Sequence, residues 1–415
     1  MKIYKFGGSS IKNYKRIKNL SKVIKINKNN NKIIVLSAIG KNTNKLEKVV
    51  KNFFINKKTY IQVLNIYKNH FKMIKNLFFK KKFIFKYIKY FFNELIFFLK
   101  KKKSIKYHFI YDQIVGSGEL ISTKIVSEYL NLIGLKNFWL DCRNYIKTDN
   151  SYREAHVNWQ QTKKKIKKIN KNFFYITQGF IGADNNYFTT TFGREGSDYT
   201  ASIFSFCLNA ESQTTWKDVP GILNADPRFF LKKKIFKSLS YKETLELSYY
   251  GASVIHPKTL DPLKKKKIPL YIRSFIFPKK KGTLVRDKSI NNVITSCFIV
   301  KNKQKLIFFS KKKFSFFLEK DISFIFKYIS NYKIYFFLIQ NSPISISICI
   351  EDKFNNLSFL IKKLKRIFII KLLNNVYLYT ILHYNVNNIN FIIKKYKLIL
   401  RQINSDYIQW IFKLN

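Results

Sequence analysis

The strongest constraint on the fold of this chain is an alternation. Short apolar runs rich in β-forming residues recur between helical patterns, at Lys2 to Phe6, Ile33 to Ala38, Phe173 to Thr177, Thr214 to Trp216 and Ile268 to Arg273. Strand-sized and helix-sized segments in that order point to an α/β domain. Between Leu46 and Tyr111 the pattern stays helical and lysine-rich with no glycine or proline, which predicts a helical subdomain inserted after the second strand.

Near residue 290 the texture changes. Glycine is absent beyond Gly282, and strand and helix signals return in a smaller cycle: the strand-like KLIFF segment, a helix from Ser323 to Ser330, strands at Tyr335 to Gln340 and Ile344 to Ile350, and a helix from Leu357 to Ile367. That β-α-β-β-α order is of ferredoxin-like type. A second, weaker cycle is expected through Val376 to Leu382, Ile389 to Leu400 and Tyr407 to Phe412. We therefore expect two domains, residues 1–290 and 291–415.

Composition narrows the function classes. With 46% hydrophobic residues, 41 Phe and 26 Tyr, the chain lacks the low-hydrophobicity signature of disorder. A formal net charge of +56 would ordinarily put nucleic acid or an anionic membrane first among partners. Lysine, asparagine, isoleucine, phenylalanine and tyrosine are raised together along the whole chain, however, and their codons are AT-rich. Base composition thus accounts for the charge without a partner, and runs such as 264–267 and 279–281 read as solvated turns. We expect neither a nucleic acid nor a membrane as partner.

Cys142, Cys207, Cys297 and Cys349 form no Cys-x-x-Cys pair, which suggests a reducing compartment without a zinc site. The opening MKIYKFGGSS enters a strand and a glycine turn where a secretory signal needs an apolar core. Lys86, Lys89 and Glu94 interrupt the most apolar segment, residues 83–99, which is already short of the roughly 20 residues that span a bilayer. The expected location is cytoplasmic, and that segment is expected to be an amphipathic helix.

Four segments carry possible chemistry. In Lys5-Phe6-Gly7-Gly8-Ser9-Ser10, two glycines after a strand let the backbone approach a phosphate while Lys5 adds a positive charge. It is not a P-loop, whose glycines are four residues apart and followed by Lys-Ser/Thr. Gly193-Arg194-Glu195-Gly196-Ser197-Asp198 leads into an apolar helix. Ser197 or Asp198 could simply cap that helix, or the helix start could bind an anion with Arg194 clamping a carboxylate. Trp216 to Arg228 packs two turns, with Trp216, Asp218, Asp226 and Arg228 around them in a set suited to an adenosine and its phosphates. Gly116-Ser117-Gly118-Glu119 is expected to precede a helix, where Glu119 either favours the first turn or receives an ammonium group.

Taken in order, seven segments of residues 1 to about 290 resemble the aspartate kinase branch of the amino-acid kinase family: KFGGSS, VLSAIGKNTNKL, GSGELIS, TQGFIG, FGREGSDYTA, WKDVPGILNADPR and YYGASVIHPKT. The resemblance implies an α/β amino-acid kinase fold, a three-layer sandwich, followed by an α+β ferredoxin-like ACT region of degenerate sequence. It implies ATP as co-substrate with Mg²⁺, no resident metal, L-aspartate as acceptor, and a homodimer or higher homo-oligomer. Carried over residue by residue, Lys5, Gly7, Gly8 and Ser9 would face the phosphates. Thr43, Glu119 and Arg194 would hold aspartate, with Phe180 and Ser197 lining the pocket and Ser37 near it. Asp198 would orient the reacting groups, and Asp218 and Arg228 would serve the nucleotide.

The chain departs from the family pattern at three nucleotide positions. Lys217 stands where many members have Thr, Leu223 where Tyr is common, and Ser253 where several have Lys. The length leaves no room after the ACT region for the homoserine dehydrogenase domain fused to some relatives, so a monofunctional kinase is expected. Two other readings stay open at this point, a basic nucleic-acid-binding protein and a kinase relative with decayed chemistry.

Overall fold

The structure, a computed structural model, describes residues 1–26, 31–55, 57–79, 82–101, 106–193, 195–226, 229–230, 233–251, 255–288, 296–313, 315–353, 355–384 and 397–413. The chain divides into two compact units. The first holds residues 1–222, 235–245 and 254–291, and the second holds 223–234, 246–253 and 292–415.

The first unit opens with β1 (Lys2–Phe6), α1 (Tyr14–Ile26), β2 (Lys32–Leu36) and the helical insertion α2 (Asn42–Phe54), α3 (Tyr60–Phe78), α4 (Lys82–Lys101) and α5 (Tyr107–Leu132). It continues through β3 (Phe138–Leu140), α6 (Trp159–Ile166), β4 (Phe174–Gln178), β5 (Ile181–Ala183), β6 (Thr189–Thr191), α7 (Gly196–Leu208) and β7 (Ser212–Lys217). Next come β8 (Ser238–Ser240), α8 (Tyr241–Tyr250), α9 (Pro257–Lys265), β9 (Leu270–Ser274) and β10 (Thr283–Arg286). The last residues of α8 count with the second unit.

Eight of these strands form one sheet in the order β3-β4-β2-β1-β7-β9-β10-β8, with parallel pairing everywhere except between β9 and β10. Central parallel strands are covered on both faces, which is why β2 is apolar at nearly every position. The two faces feed different cores. Tyr4, Phe6, Ile34 and Leu36 pack with α1 to α5, whereas Ile3, Ile33 and Val35 pack with α6 and α7. The result is the expected three-layer sandwich. Strand periodicity also places Lys5 on the same face as Ile3, toward α7.

Helix α4 behaves as its pattern requires. Ile84, Ile88, Phe92, Leu95 and Leu99 line one buried stripe, with lysines outside it. Among the described residues, no helix is long and apolar enough to cross a membrane.

Helix α5 corrects one expectation. Gly116 and Gly118 do not make a turn before a helix; they lie inside it. Glycine costs about 1 kcal/mol in a helix interior, and here close packing explains it. A Cβ on Gly116 would stand 2.6 Å from the Thr189 methyl, and one on Gly118 would stand 2.8 Å from Leu46.

The second unit contains β11 (Cys297–Lys311), α10 (Glu319–Asn331), β12 (Tyr335–Ser342), β13 (Ser345–Glu351), α11 (Leu357–Leu364), β14 (Phe368–Leu382), β15 (Lys397–Ile403) and β16 (Tyr407–Lys413). Its antiparallel sheet runs β12-β13-β11-β14-β16-β15, with β11 and β14 paired along most of their length. Ile325 and Ile329 of α10 and Leu360 and Leu364 of α11 pack on Ile307, Phe309, Ile346 and Ile348. The expected β-α-β-β-α cycle is present, and the sheet continues beyond it. Part of the expected second cycle, residues 385–396, lies outside the described residues.

Glycine-free turns in this unit are closed by other residues. Lys303, Lys333, Asn355, Asn375 and His383 all have φ between 51° and 58°, the left-handed region.

Candidate active site

In open parallel sheets, ligands bind beyond the carboxyl ends of the strands where the strand order reverses. Here the chain steps from β1 to β2 and β4 on one side, while β7 lies on the other side of β1. The segments that leave β1, β2, β4 and β7 at this edge are Gly7-Gly8, Ser37-Ala38, Gly179-Phe180 and Lys217-Asp218. Four of the expected motifs thus meet because the topology brings these strand ends together.

At the centre is a buried ion pair. Lys5 Nζ lies 3.0 Å from Asp198 Oδ1, with the two side chains only 10% and 4% exposed. Lys217 Nζ lies 3.9 Å from the other carboxylate oxygen, and the Thr215 hydroxyl is 3.5 Å from Oδ1. Burial pushes the Asp198 carboxyl up, but the charges of Lys5 and Lys217 and the hydrogen bonds from Lys5 and Thr215 outweigh it and hold it below the usual carboxylate range.

Neither Ser197 nor Asp198 caps α7. The N-cap is Glu195, with φ 55°, and its side chain makes no capping bond. Ser197 and Asp198 occupy the second and third helical positions, where the helix dipole favours a carboxylate. The glycines around them set close approaches. A Cβ on Gly179 would stand 2.6 Å from Ser197, and one on Gly196 would stand 2.8 Å from Phe180. Phe180 itself sits at φ 72°, and its N–H donates to Thr200 Oγ1 at 3.0 Å. Ser37 donates to Ser197 at 3.0 Å, joining the end of β2 to the start of α7.

The glycine turn is built as tightly as its sequence suggests. A Cβ on Gly8 would collide with the Ala38 carbonyl and stand 2.8 Å from the Gly40 carbonyl. The Gly40 N–H donates to the Gly8 carbonyl at 3.0 Å. Gly7 faces more open space beside Lys5, and Ser9 is exposed.

Glu119 is 2% exposed in the middle of α5, and its Oε2 has no hydrogen-bond partner among the described residues. Burial raises its carboxyl to about 8, against the backbone of Ala38 and the charge of Lys5, which pull it down. A buried carboxyl with one oxygen unpaired can accept a further hydrogen bond.

Thr43 lies half-buried in the first turn of α2. Asp218 pairs with Arg16 at 3.1 Å, a partner from α1 that the sequence reading missed. Thr215 was also missed; its strand alternation with Trp216 was the available signal. Leu223 belongs to the second unit, and Arg194, Arg228 and Ser253 lie outside the described residues. Among the described residues, no group of three or more His, Cys, Asp or Glu side chains converges as a metal site.

A cavity of about 680 Å³, lined by Trp159, Lys163, Lys164, Phe206, Asp261 and Lys265, opens elsewhere on this unit. Phe206 is eight residues beyond Asp198 along α7, about 12 Å of helix. The cavity is therefore separate from the Lys5–Asp198 cluster.

Known proteins give the arrangement its relatives. The chain is 33% identical over 310 residues to a bifunctional aspartokinase/homoserine dehydrogenase of Buchnera aphidicola, a match that covers 70% of this chain and 37% of that one. It is 34% identical over 201 residues to the lysine-sensitive aspartokinase 3 of Escherichia coli, covering 47% and 44% respectively. The matches thus span less than half the length of these curated relatives. In structure the chain follows E. coli aspartokinase III in complex with lysine and aspartate, with a TM-score of 0.83 at 23% identity over 99% of this chain and 95% of that one. The aspartate kinase of Clostridium acetobutylicum gives 0.78 at 24% identity, covering 100% and 96%. These likenesses establish the fold across both units. Residues 1–274 match the profile of the amino acid kinase family, and the chain belongs to that family.

Proposed function

We propose that this protein is an aspartate kinase that transfers the γ-phosphoryl group of MgATP to the side-chain carboxylate of L-aspartate. The observation that carries the reading is the juxtaposition of a phosphate-type glycine turn and Lys5–Asp198 pair with the half-satisfied carboxylate of Glu119. The first can face a transferring phosphoryl group, and the second can accept an amino acid's ammonium. The aspartokinases among its relatives, and the aspartate- and ADP-bound state of one of them, support the same reading.

In this mechanism an oxygen of the aspartate side chain attacks the γ-phosphorus in line. The bond from phosphorus to the β–γ bridging oxygen breaks, and ADP leaves with that oxygen. The nucleophile is already an anion at neutral pH, so no general base is needed. Catalysis is then positioning and charge stabilisation. Lys5 and the Gly7, Gly8 and Ser9 amides face the phosphoryl oxygens, and Asp198 holds Lys5 and Lys217 in place. Glu119, Thr43, Arg194 and Ser197 hold the amino acid, with Phe180 and Ser37 shaping the pocket. Asp218 serves the nucleotide through its strand-end position, and Mg²⁺ enters as part of the nucleotide substrate.

The test is ADP release coupled to a reporter, with the acyl phosphate trapped by hydroxylamine. Turnover with aspartate is expected, and turnover with glutamate alone would overturn the substrate assignment. A pH dependence follows from Glu119. Its protonated form cannot pair with an ammonium, so kcat/KM for aspartate is expected to rise as pH climbs through about 8. A profile flat from pH 6.5 to 9 would remove Glu119 from that role.

The second unit we assign to subunit association in a homo-oligomer, as an ACT-like region with weakened effector binding. An effector carboxylate held by backbone N–H groups needs close approach, which glycine permits. No glycine follows Gly282, and the turns are made by Lys, Asn and His instead. Lysine and threonine, titrated singly and together against initial rate, are expected to inhibit weakly or not at all. Deletion from residue 297 onward is expected to impair solubility or oligomer formation. Half-inhibition at micromolar effector would refute the first expectation, and a soluble, fully active truncation the second.

A further inference from the structure

Asp112 sits on α5 with no exposure to solvent, outside the motifs identified in the sequence and one turn before Gly116. Three donors converge on its carboxylate. The Arg153 and Thr191 N–H groups donate to Oδ2 at 3.0 and 2.8 Å, and the Thr191 hydroxyl donates to Oδ1 at 2.8 Å. A buried carboxylate satisfied three times over is a strong local anchor, because losing its charge would weaken all three bonds and losing the group would leave donors unpaired in a dry interior.

Both anchored segments lead to the start of α7. Thr191 ends β6, and the next residue, Phe192, donates its N–H to the Phe180 carbonyl at 3.0 Å. Arg153 is held at φ 73°, with its guanidinium 4.4 Å over the Tyr111 ring. Its carbonyl backs Gly193 so closely that a Cβ there would stand 3.1 Å away. The Gly193 carbonyl in turn accepts from the Gly196 N–H at 3.2 Å, one residue before Ser197. Asp112 and Glu119 are seven residues apart on one helix, which places them on the same stripe about 10 Å apart along the axis. One element therefore carries both the half-satisfied carboxyl of Glu119 and the anchor of the residues that precede α7.

We propose that Asp112 is a positioning residue of this site, fixing residues 191–193, ahead of α7, relative to Glu119 so that the two sides of the amino-acid pocket stay in register. The inference rests on the aspartate kinase reading for its kinetic readout and on geometry alone for its physical one. Asn keeps the size of Asp but removes the charge that strengthens all three bonds, and its NH₂ either faces the two backbone N–H groups or forces the Thr191 hydroxyl to turn from donor to acceptor.

Asp112→Asn is therefore expected to raise the aspartate KM by about tenfold or more, to leave the MgATP KM within about twofold, and to lower kcat less than it raises the aspartate KM. Hydrogen–deuterium exchange in peptides covering 189–199 should be faster in the variant than in the wild type. Thr191→Val removes only the hydroxyl donor and is expected to show the same split at about threefold; if Asp112→Asn does not fold, this variant decides. A merely structural role would lower the active fraction with both KM values unmoved, and that result, or unchanged exchange in 189–199, overturns the proposal. If the wild type phosphorylates no aspartate, it is the functional reading that fails, and the exchange comparison alone then decides the role of Asp112.

Discussion

Lys5→Ala is expected to lower kcat by about 10³-fold while moving the aspartate KM less than about threefold. The reason lies in where the charge is needed. Lys5 reaches the crossing of β1 and the α7 N-terminus, where phosphoryl charge would develop, whereas in the proposed site aspartate would be held from α5 and the start of α7. Among the described residues, removing Lys5 leaves the buried Asp198 with the more distant Lys217 and the Thr215 hydroxyl, and breaking a buried pair typically costs about 3–5 kcal/mol of stability. Lost rate could then be confused with lost fold. The double variant Lys5→Ala/Asp198→Ala separates them, because it removes the stranded charge and should recover much of the melting temperature without recovering the rate. A folded Lys5→Ala protein with kcat within tenfold of wild type would exclude Lys5 from the chemistry.

Glu119→Gln should act on the other substrate. It keeps the shape of the side chain and removes the charge that would meet an ammonium, so the aspartate KM is expected to rise about 100-fold with little change in the MgATP KM. The pH rise through about 8 should disappear with it. Stability should move the opposite way. A carboxyl raised from its ordinary range to about 8 contributes fully below its unfolded value and loses that contribution as pH climbs through 8, so the wild type is carrying an unfavourable ionisation at high pH. The glutamine variant is expected to melt no lower than wild type at pH 8.5. An unchanged aspartate KM would defeat this assignment, whatever the melting temperature.

These two residues also mark what could be read from the sequence. Lys5 was legible because a strand, two glycines and a lysine occupy consecutive positions, and strand periodicity alone orients the side chain. Glu119 could be singled out from the sequence, but the setting expected for it, a turn before a helix, is corrected by the structure. Gly116 and Gly118 look like turn residues in sequence, and only the proximity of Thr189 and Leu46 explains why a helix carries them in its interior. The start of α7 was misread for a related reason. Ser and Asp are good caps, yet Glu195 takes the cap in a left-handed conformation, which places Asp198 a turn further in, beside Lys5. Arg16 and Asp112 were not legible at all. Their partners are 202 residues away for Arg16 and 41 and 79 residues away for Asp112, and no local pattern records such pairings.

The left-handed residues of the second unit bear on how this chain can go on evolving. Each non-glycine residue in that region costs about 1–2 kcal/mol, less for asparagine, and a whole domain is typically stable by only about 5–15 kcal/mol. The strain at Lys303, Lys333, Asn355, Asn375 and His383 is of the same order as such a margin and has to be offset by packing elsewhere in the unit. A unit that closes its turns with such residues keeps a smaller margin than the same unit with glycine at those positions would. Its sequence can drift at exposed sites, while conservative changes in the cores beneath α10 and α11 become selectively visible.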